Sequence, residues 1–106
     1  MLFRSLIFSR QVTAHGQAGD TAIAISTSGN SLNILKGIEA AKAKGMYTVG
    51  LTGETGGRMT GMVEALFKVP SQSTPRIQET HIMIGHIICE LIDRLLIPDQ
   101  YLRDQP

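Results

Sequence analysis

Tryptophan is missing from this chain, and cysteine occurs once, at Cys89. One thiol excludes an intrachain disulfide and any multi-cysteine metal site. It suits a reducing compartment, where a lone apolar-flanked Cys89 reads as a core residue. An excess of charge of one sign is also lacking. The formal net charge is +1 and no basic cluster occurs, so nothing electrostatic points to nucleic acid or an anionic membrane. Long apolar runs are absent too. The most apolar stretch, Ile82 to Leu96, is interrupted by His86, Glu90, Asp93 and Arg94 and falls short of the roughly 20 residues of a membrane span. The opening MLFRSLIF has no small-residue cleavage site, which argues against a signal peptide. Its first five residues match the translation of a common sequencing-adapter end behind a start codon, so residues 1–5 are read as a non-native start. The whole chain, 106 residues, is the size of one small cytoplasmic domain or a piece of a larger one.

The pattern along the chain alternates helix and strand. Leu6 to His15 predicts a helix stopped by Gly16, and Thr21 to Ser26 (TAIAIS) predicts a short strand buried on both faces. Leu32 to Lys44 predicts a helix with Ile34, Leu35, Ile38 and Ala41 on its apolar face. Tyr47 to Thr52 reads as a second buried strand, followed by the glycine-rich loop Gly53 to Gly57 and a helical turn around Met59 to Val63. Ala65 to Val69 is the third strand. Thr74 as N-cap and Pro75 as first helical residue open a long helix to about Leu96, ended by Pro98 and a polar tail over 99–106. Such alternation predicts parallel strands with right-handed crossovers, an α/β doubly wound sheet in three layers. The last helix is apolar nearly all round, from Ile77 to Leu96, more than one sheet face can cover. It calls for further chain or another subunit.

The stretch AISTSGNS, residues 24 to 31, places four hydroxyls, a glycine and an asparagine where the first strand ends. Ligands of open α/β sheets sit at the carboxyl ends of strands, beside helix N-termini with free N–H groups. Ser26, Thr27, Ser28 and Ser31 can add hydroxyl donors, and Gly29 allows close backbone approach, an arrangement that suits a phosphate monoester. Neither a GxxxxGK[ST] cradle nor a GxGxxG fingerprint is present. On local residue types a second reading stands equally: Ser31 or Asn30 caps the helix, and the rest is turn chemistry.

AISTSGNS, then GIEAAKAKGMYTVGLTGETGGRM, then RIQETHIMIGHIICELID resemble consecutive blocks of bacterial phosphoheptose isomerases, members of the sugar isomerase (SIS) domain superfamily. The resemblance runs from Phe8 to Pro98, and its most specific part is Arg76-Ile77-Gln78-Glu79 followed by His81 and His86. It implies a five-stranded parallel sheet, a homotetramer, and interconversion of sedoheptulose 7-phosphate and D-glycero-D-manno-heptose 7-phosphate for lipopolysaccharide core or other surface glycans. It implies that Ser26, Thr27, Ser28 and Ser31 hold the substrate phosphate. By the same resemblance His86 is a catalytic acid–base residue and, in zinc-containing members, a metal ligand, while Gln78 is a substrate contact or zinc ligand. The residue types fit an enediol proton transfer, which needs a base near neutral pKa and a polarised carbonyl. Without the resemblance, His86 reads as a core histidine, Gln78 as polar surface and His81 as structural. Gln78 and His86 stand eight residues apart, about 12 Å of helix rise. If both are metal ligands, they come from different chains to one ion, which favours a site at a subunit interface.

Family members carry, before the point where this chain begins, a further helical segment, a strand and a loop. That region supplies another phosphate-binding serine, the glutamate base and the remaining metal ligands. The chain is therefore read as a C-terminal piece, inactive and poorly soluble by itself, with Glu54 a turn residue and Glu79 a helix-start charge. A non-catalytic SIS-domain regulator that engages the bacterial replication initiator is the alternative. His86, and Ser28 where that group carries arginine, separate the two in favour of the isomerase. An SIS module for another phosphosugar is the third reading.

Overall fold

The computed structural model describes residues 2–105. Its elements follow in the order α1 (Leu2–His15), β1 (Thr21–Ile25), α2 (Leu32–Ala43), β2 (Tyr47–Thr52), β3 (Ala65–Lys68), α3 (Thr74–Leu96) and α4 (Pro98–Arg103). A single 3-10 turn, Gly57–Met59, lies between β2 and β3. The three strands form one parallel sheet in the order β1-β2-β3, with Thr21 opposite Tyr47 and Val49 opposite Ala65. This is the expected α/β arrangement. Parallel pairing requires a crossover between successive strands, and α2 supplies the first one.

The main core gathers Leu35 and Ile38 of α2 with Met59, against which Ala24, Ile34, Met62, Val63 and Leu66 pack. Leu35, Ile38 and Ala41 are buried, as the helical spacing predicted. α1 lies along α2, and both α2 and α3 contact β2. The central strand is thereby the best protected, with Thr48, Gly50, Leu51 and Thr52 all buried.

Several expectations need correction. β1 is not buried on both faces: it is a sheet edge, where Ile23 and Ile25 stay about half exposed while Ala22 and Ala24 are partly covered. The α1 helix begins at Leu2, not Leu6, so residues 2–5 continue it; Met1, the start of the proposed non-native segment, lies outside the described residues. Cys89 is exposed on α3, not core. Ser73, not Thr74, is the N-cap of α3, because Thr74 already has helical backbone, and the turn expected at Met59 to Val63 is helical only over Gly57–Met59. Pro98 ends α3 but also opens α4, since a missing N–H costs nothing in a first helical turn. The polar tail is thus largely helical. No described helix is long and apolar enough to cross a membrane.

Candidate active site at the strand ends

The loop after β1 folds on its own hydroxyls. Ser26 is buried, and its Oγ accepts the Gly29 N–H at 3.1 Å. The same oxygen lies 3.0 Å from Ser31 Oγ and 3.5 Å from Ser28 Oγ. Ser28 Oγ accepts the Asn30 N–H at 3.1 Å. Three of the four predicted hydroxyls therefore converge, and Thr27 is half-buried beside them.

The capping reading fails on geometry. Ser31 occupies the N-cap of α2 with extended backbone, yet its side chain makes no capping hydrogen bond. Asn30 is engaged elsewhere, its Oδ1 accepting the Arg58 N–H at 2.7 Å. The hydroxyls point into their own cluster instead of closing the helix; in the first turn of α2 the Ile34 N–H is taken by Asn33 Oδ1 at 2.9 Å, while the N-cap side chain leaves the remaining N–H groups uncapped.

Gly29 is used differently from the expectation. Its φ of 70° demands glycine, and a β-carbon there would collide with the Gly56 carbonyl. The close approach is to the Gly53–Gly57 loop. Met59 N–H donates to Gly29 O at 3.0 Å and Gly53 N–H donates to Thr27 O at 2.9 Å, so the second loop braces the first.

A cleft of about 260 Å³ opens where these loops meet. Thr27 and Ser28 form one wall, Glu54 and Thr55 follow from the end of β2, and Ser71, Gln72 and Thr74 close it from the segment between β3 and α3. Gln72 Nε2 donates to Glu54 Oε1 at 2.6 Å across its rim. In the sequence Thr55, Ser71 and Gln72 carry no signal of their own, and Glu54 and Thr74 read as a turn residue and a helix cap. Their shared position at carboxyl ends of parallel strands was the available signal.

Gln78 and His86 do not line this cleft; both are exposed on α3. His86 is thus not the core histidine that residue types alone suggested. His81 is the buried one, with Nε2 2.9 Å from the Thr52 carbonyl oxygen. Arg76 and Glu79, the flanking charges of the RIQE block, pair with each other at 2.8 Å on the surface. Among the described residues no group of three or more His, Cys, Asp or Glu is placed to hold a metal ion.

The model of the family described as SIS domain matches residues 2–53, which takes in the hydroxyl loop and the brace at Gly53. Over 96 residues the chain is 53% identical to the phosphoheptose isomerase of Aneurinibacillus thermoaerophilus, covering 91% of this chain and 48% of that protein. The chain is thus similar to the SIS domain family over about half of its length. A second relative, the phosphoheptose isomerase of Sulfurimonas denitrificans, is 55% identical over 93 residues, 88% of this chain and 48% of that protein. In three dimensions the chain is similar to phosphoheptose isomerase GmhA from Neisseria gonorrhoeae, with a TM-score of 0.81 and 43% identity, covering 84% of this chain and 51% of that one. The chain spans about half the length of the curated relatives it matches.

Proposed function

We propose that this chain forms the phosphate-binding part of a phosphoheptose isomerase, acting on sedoheptulose 7-phosphate to give D-glycero-D-manno-heptose 7-phosphate in the cytoplasm, for lipopolysaccharide core or related glycans. The observation that carries the proposal is the Ser26–Ser28–Ser31 hydroxyl cluster at the start of α2, where Ser31 makes no capping hydrogen bond. A phosphate dianion there would accept hydrogen bonds from the serine hydroxyls and Thr27, and would meet the positive end of the helix dipole. Binding energy gathered at the phosphate orients the sugar carbons for reaction.

Isomerisation moves one proton between adjacent carbons through an enediol. His86 is assigned as one acid–base group, since imidazole exchanges protons near neutral pH. Gln78 is assigned to hold substrate oxygens. Their exposure on α3, away from the cleft, supports a site completed by a second surface, which we take to be another subunit of a homotetramer. Zinc, where bound, would polarise substrate oxygens; Gln78 and His86 would each contribute one ligand to a set whose other donors come from outside this chain's described residues.

Titration of the chain with inorganic phosphate tests the seat directly. The expected result is a saturable shift of the Ser26 to Ser31 amide resonances that Ser26→Ala moves to about tenfold higher phosphate concentration. A titration that leaves those amides unmoved would remove the basis of the proposal. The role of His86 is tested in the full-length enzyme, where His86→Asn should abolish turnover of sedoheptulose 7-phosphate and retain phosphate binding.

A further inference from the structure

We infer that His81 is a positioning residue, whose buried N–H sets the register of α3 against the end of β2 and thereby places Gln78 and His86 relative to the hydroxyl loop. The inference rests on the functional reading of that loop and helix given above.

His81 is only 4% exposed, and its Nε2 sits 2.9 Å from the Thr52 carbonyl oxygen. A carbonyl can only accept, so Nε2 carries the proton and donates. Nδ1 is buried with no hydrogen-bond partner, which requires that it stay bare, because a second N–H there would be a buried donor without an acceptor. The ring is therefore held as the neutral Nε2–H tautomer.

Its partner is the junction of the site. The Thr52 carbonyl also accepts the Val69 N–H at 3.0 Å, and the next residue, Gly53, donates its N–H to Thr27 O at 2.9 Å. A β-carbon at Gly53 would fall 2.8 Å from Ile77 Cδ1 and 2.9 Å from the Thr27 carbonyl oxygen. Strand end, hydroxyl loop and α3 thus meet within two residues.

Apolar packing alone fixes this contact poorly. Besides His81, Ile77 is the one buried residue of α3, whereas Ile84 and Ile88 are half-buried, so apolar contact pins the helix at a single point and resists a slide of one turn, about 5.4 Å, only weakly. Only one setting brings an N–H to the Thr52 carbonyl. A single buried polar contact specifying register is an established use of such groups. One turn of slip would carry Gln78 and His86 away from the phosphate seat by more than a hydrogen bond tolerates.

The test uses the free, exposed Cys89 of α3 as the attachment point for a nitroxide label, read through paramagnetic broadening of the Ser26 to Ser31 amides. His81→Phe keeps the ring and loses the donor; it should shift the broadening pattern. His81→Gln, which retains an N–H, should restore it. An unchanged pattern in His81→Phe, or no recovery in His81→Gln, overturns the inference. Should His81→Phe not fold, the imidazole nitrogen spectrum of the unmutated chain decides: a protonated Nε2 and bare Nδ1 are expected, and a protonated Nδ1 overturns it. In parallel, His81→Phe should lower the preference for sedoheptulose 7-phosphate over inorganic phosphate by about tenfold, the value of one good hydrogen bond. Failure of the unmutated chain to bind phosphate would count against the phosphate seat and leave the label experiment to judge His81.

Discussion

Ser26 and Gly29 carry opposite kinds of information. Ser26 is legible in the sequence as a candidate because hydroxyls, a strand end and a helix start all lie within one short stretch. Its Oγ is one of two acceptors for the Gly29 N–H, the other being its own carbonyl at 3.1 Å. Ser26→Ala therefore leaves the turn closed and removes a hydroxyl from the cluster proposed to hold the phosphate. The expected outcome is a phosphate affinity lowered by about tenfold with the unfolding midpoint little changed, measured by amide titration and urea denaturation. Gly29 reads in sequence as room for a ligand. Its real neighbour, the Gly56 carbonyl, is far along the chain, so only the folded structure could show it. Gly29→Ala should cost about 1–3 kcal/mol from the left-handed backbone alone, with the clash added, and a urea midpoint equal to wild type would contradict that assignment. Glu54, Ser71 and Gln72 stayed hidden for the same reason: each is an ordinary loop residue until parallel pairing stacks the loop ends together.

Among the elements, helices and strand positions followed from periodicity, since α2 repeats its apolar face every three or four residues. What periodicity could not give was neighbours. TAIAIS has the composition of a central strand but stands at an edge, and α4 forms because Pro98 both stops one helix and starts another. The start of the β2–β3 pair has its own fastening. Thr48, fully buried, donates both its backbone N–H and its hydroxyl to Glu64 Oε2, and Glu64 N–H donates to the Thr48 carbonyl at 3.0 Å. The hydrogen bonds from Thr48 hold the Glu64 carboxyl below its ordinary value of 4.5. A carboxylate with a depressed folded pKa stabilises the fold above its unfolded pKa, and that contribution is lost as pH falls through the folded value. Stability should thus be flat with respect to Glu64 at neutral pH and decline below about 4.5. Glu64→Gln should remove that part of the acid dependence. Denaturant midpoints measured from pH 7 down to 3 on both proteins check this, and parallel curves would exclude Glu64 as a contributor.

For the whole molecule the decisive quantity is exposed area. The chain presents 7182 Å² of accessible surface, whereas a compact monomer of 11.5 kDa presents about 5,800 Å². The excess is larger than the roughly 800 Å² that one partner contributes to an ordinary interface. Two exposed apolar surfaces stand out within it: the distal part of α3, where Leu91, Ile92, Leu95 and Leu96 are 46–80% exposed, and the β1 edge with Ile23 and Ile25. Both invite association, by different means. The α3 face offers apolar area in helical geometry, and the β1 edge offers unpaired backbone groups to another strand. The larger apolar area lies on α3, so the chain should self-associate chiefly through that helix. Sedimentation velocity across a hundredfold range of concentration should show the weight-average mass rising above that of one chain. Leu91→Lys with Leu95→Lys should return it towards a monomer, while Ile23→Lys with Ile25→Lys should leave most of the association in place. The reverse ranking would mean that edge pairing of the sheet, not packing of α3, draws the chains together.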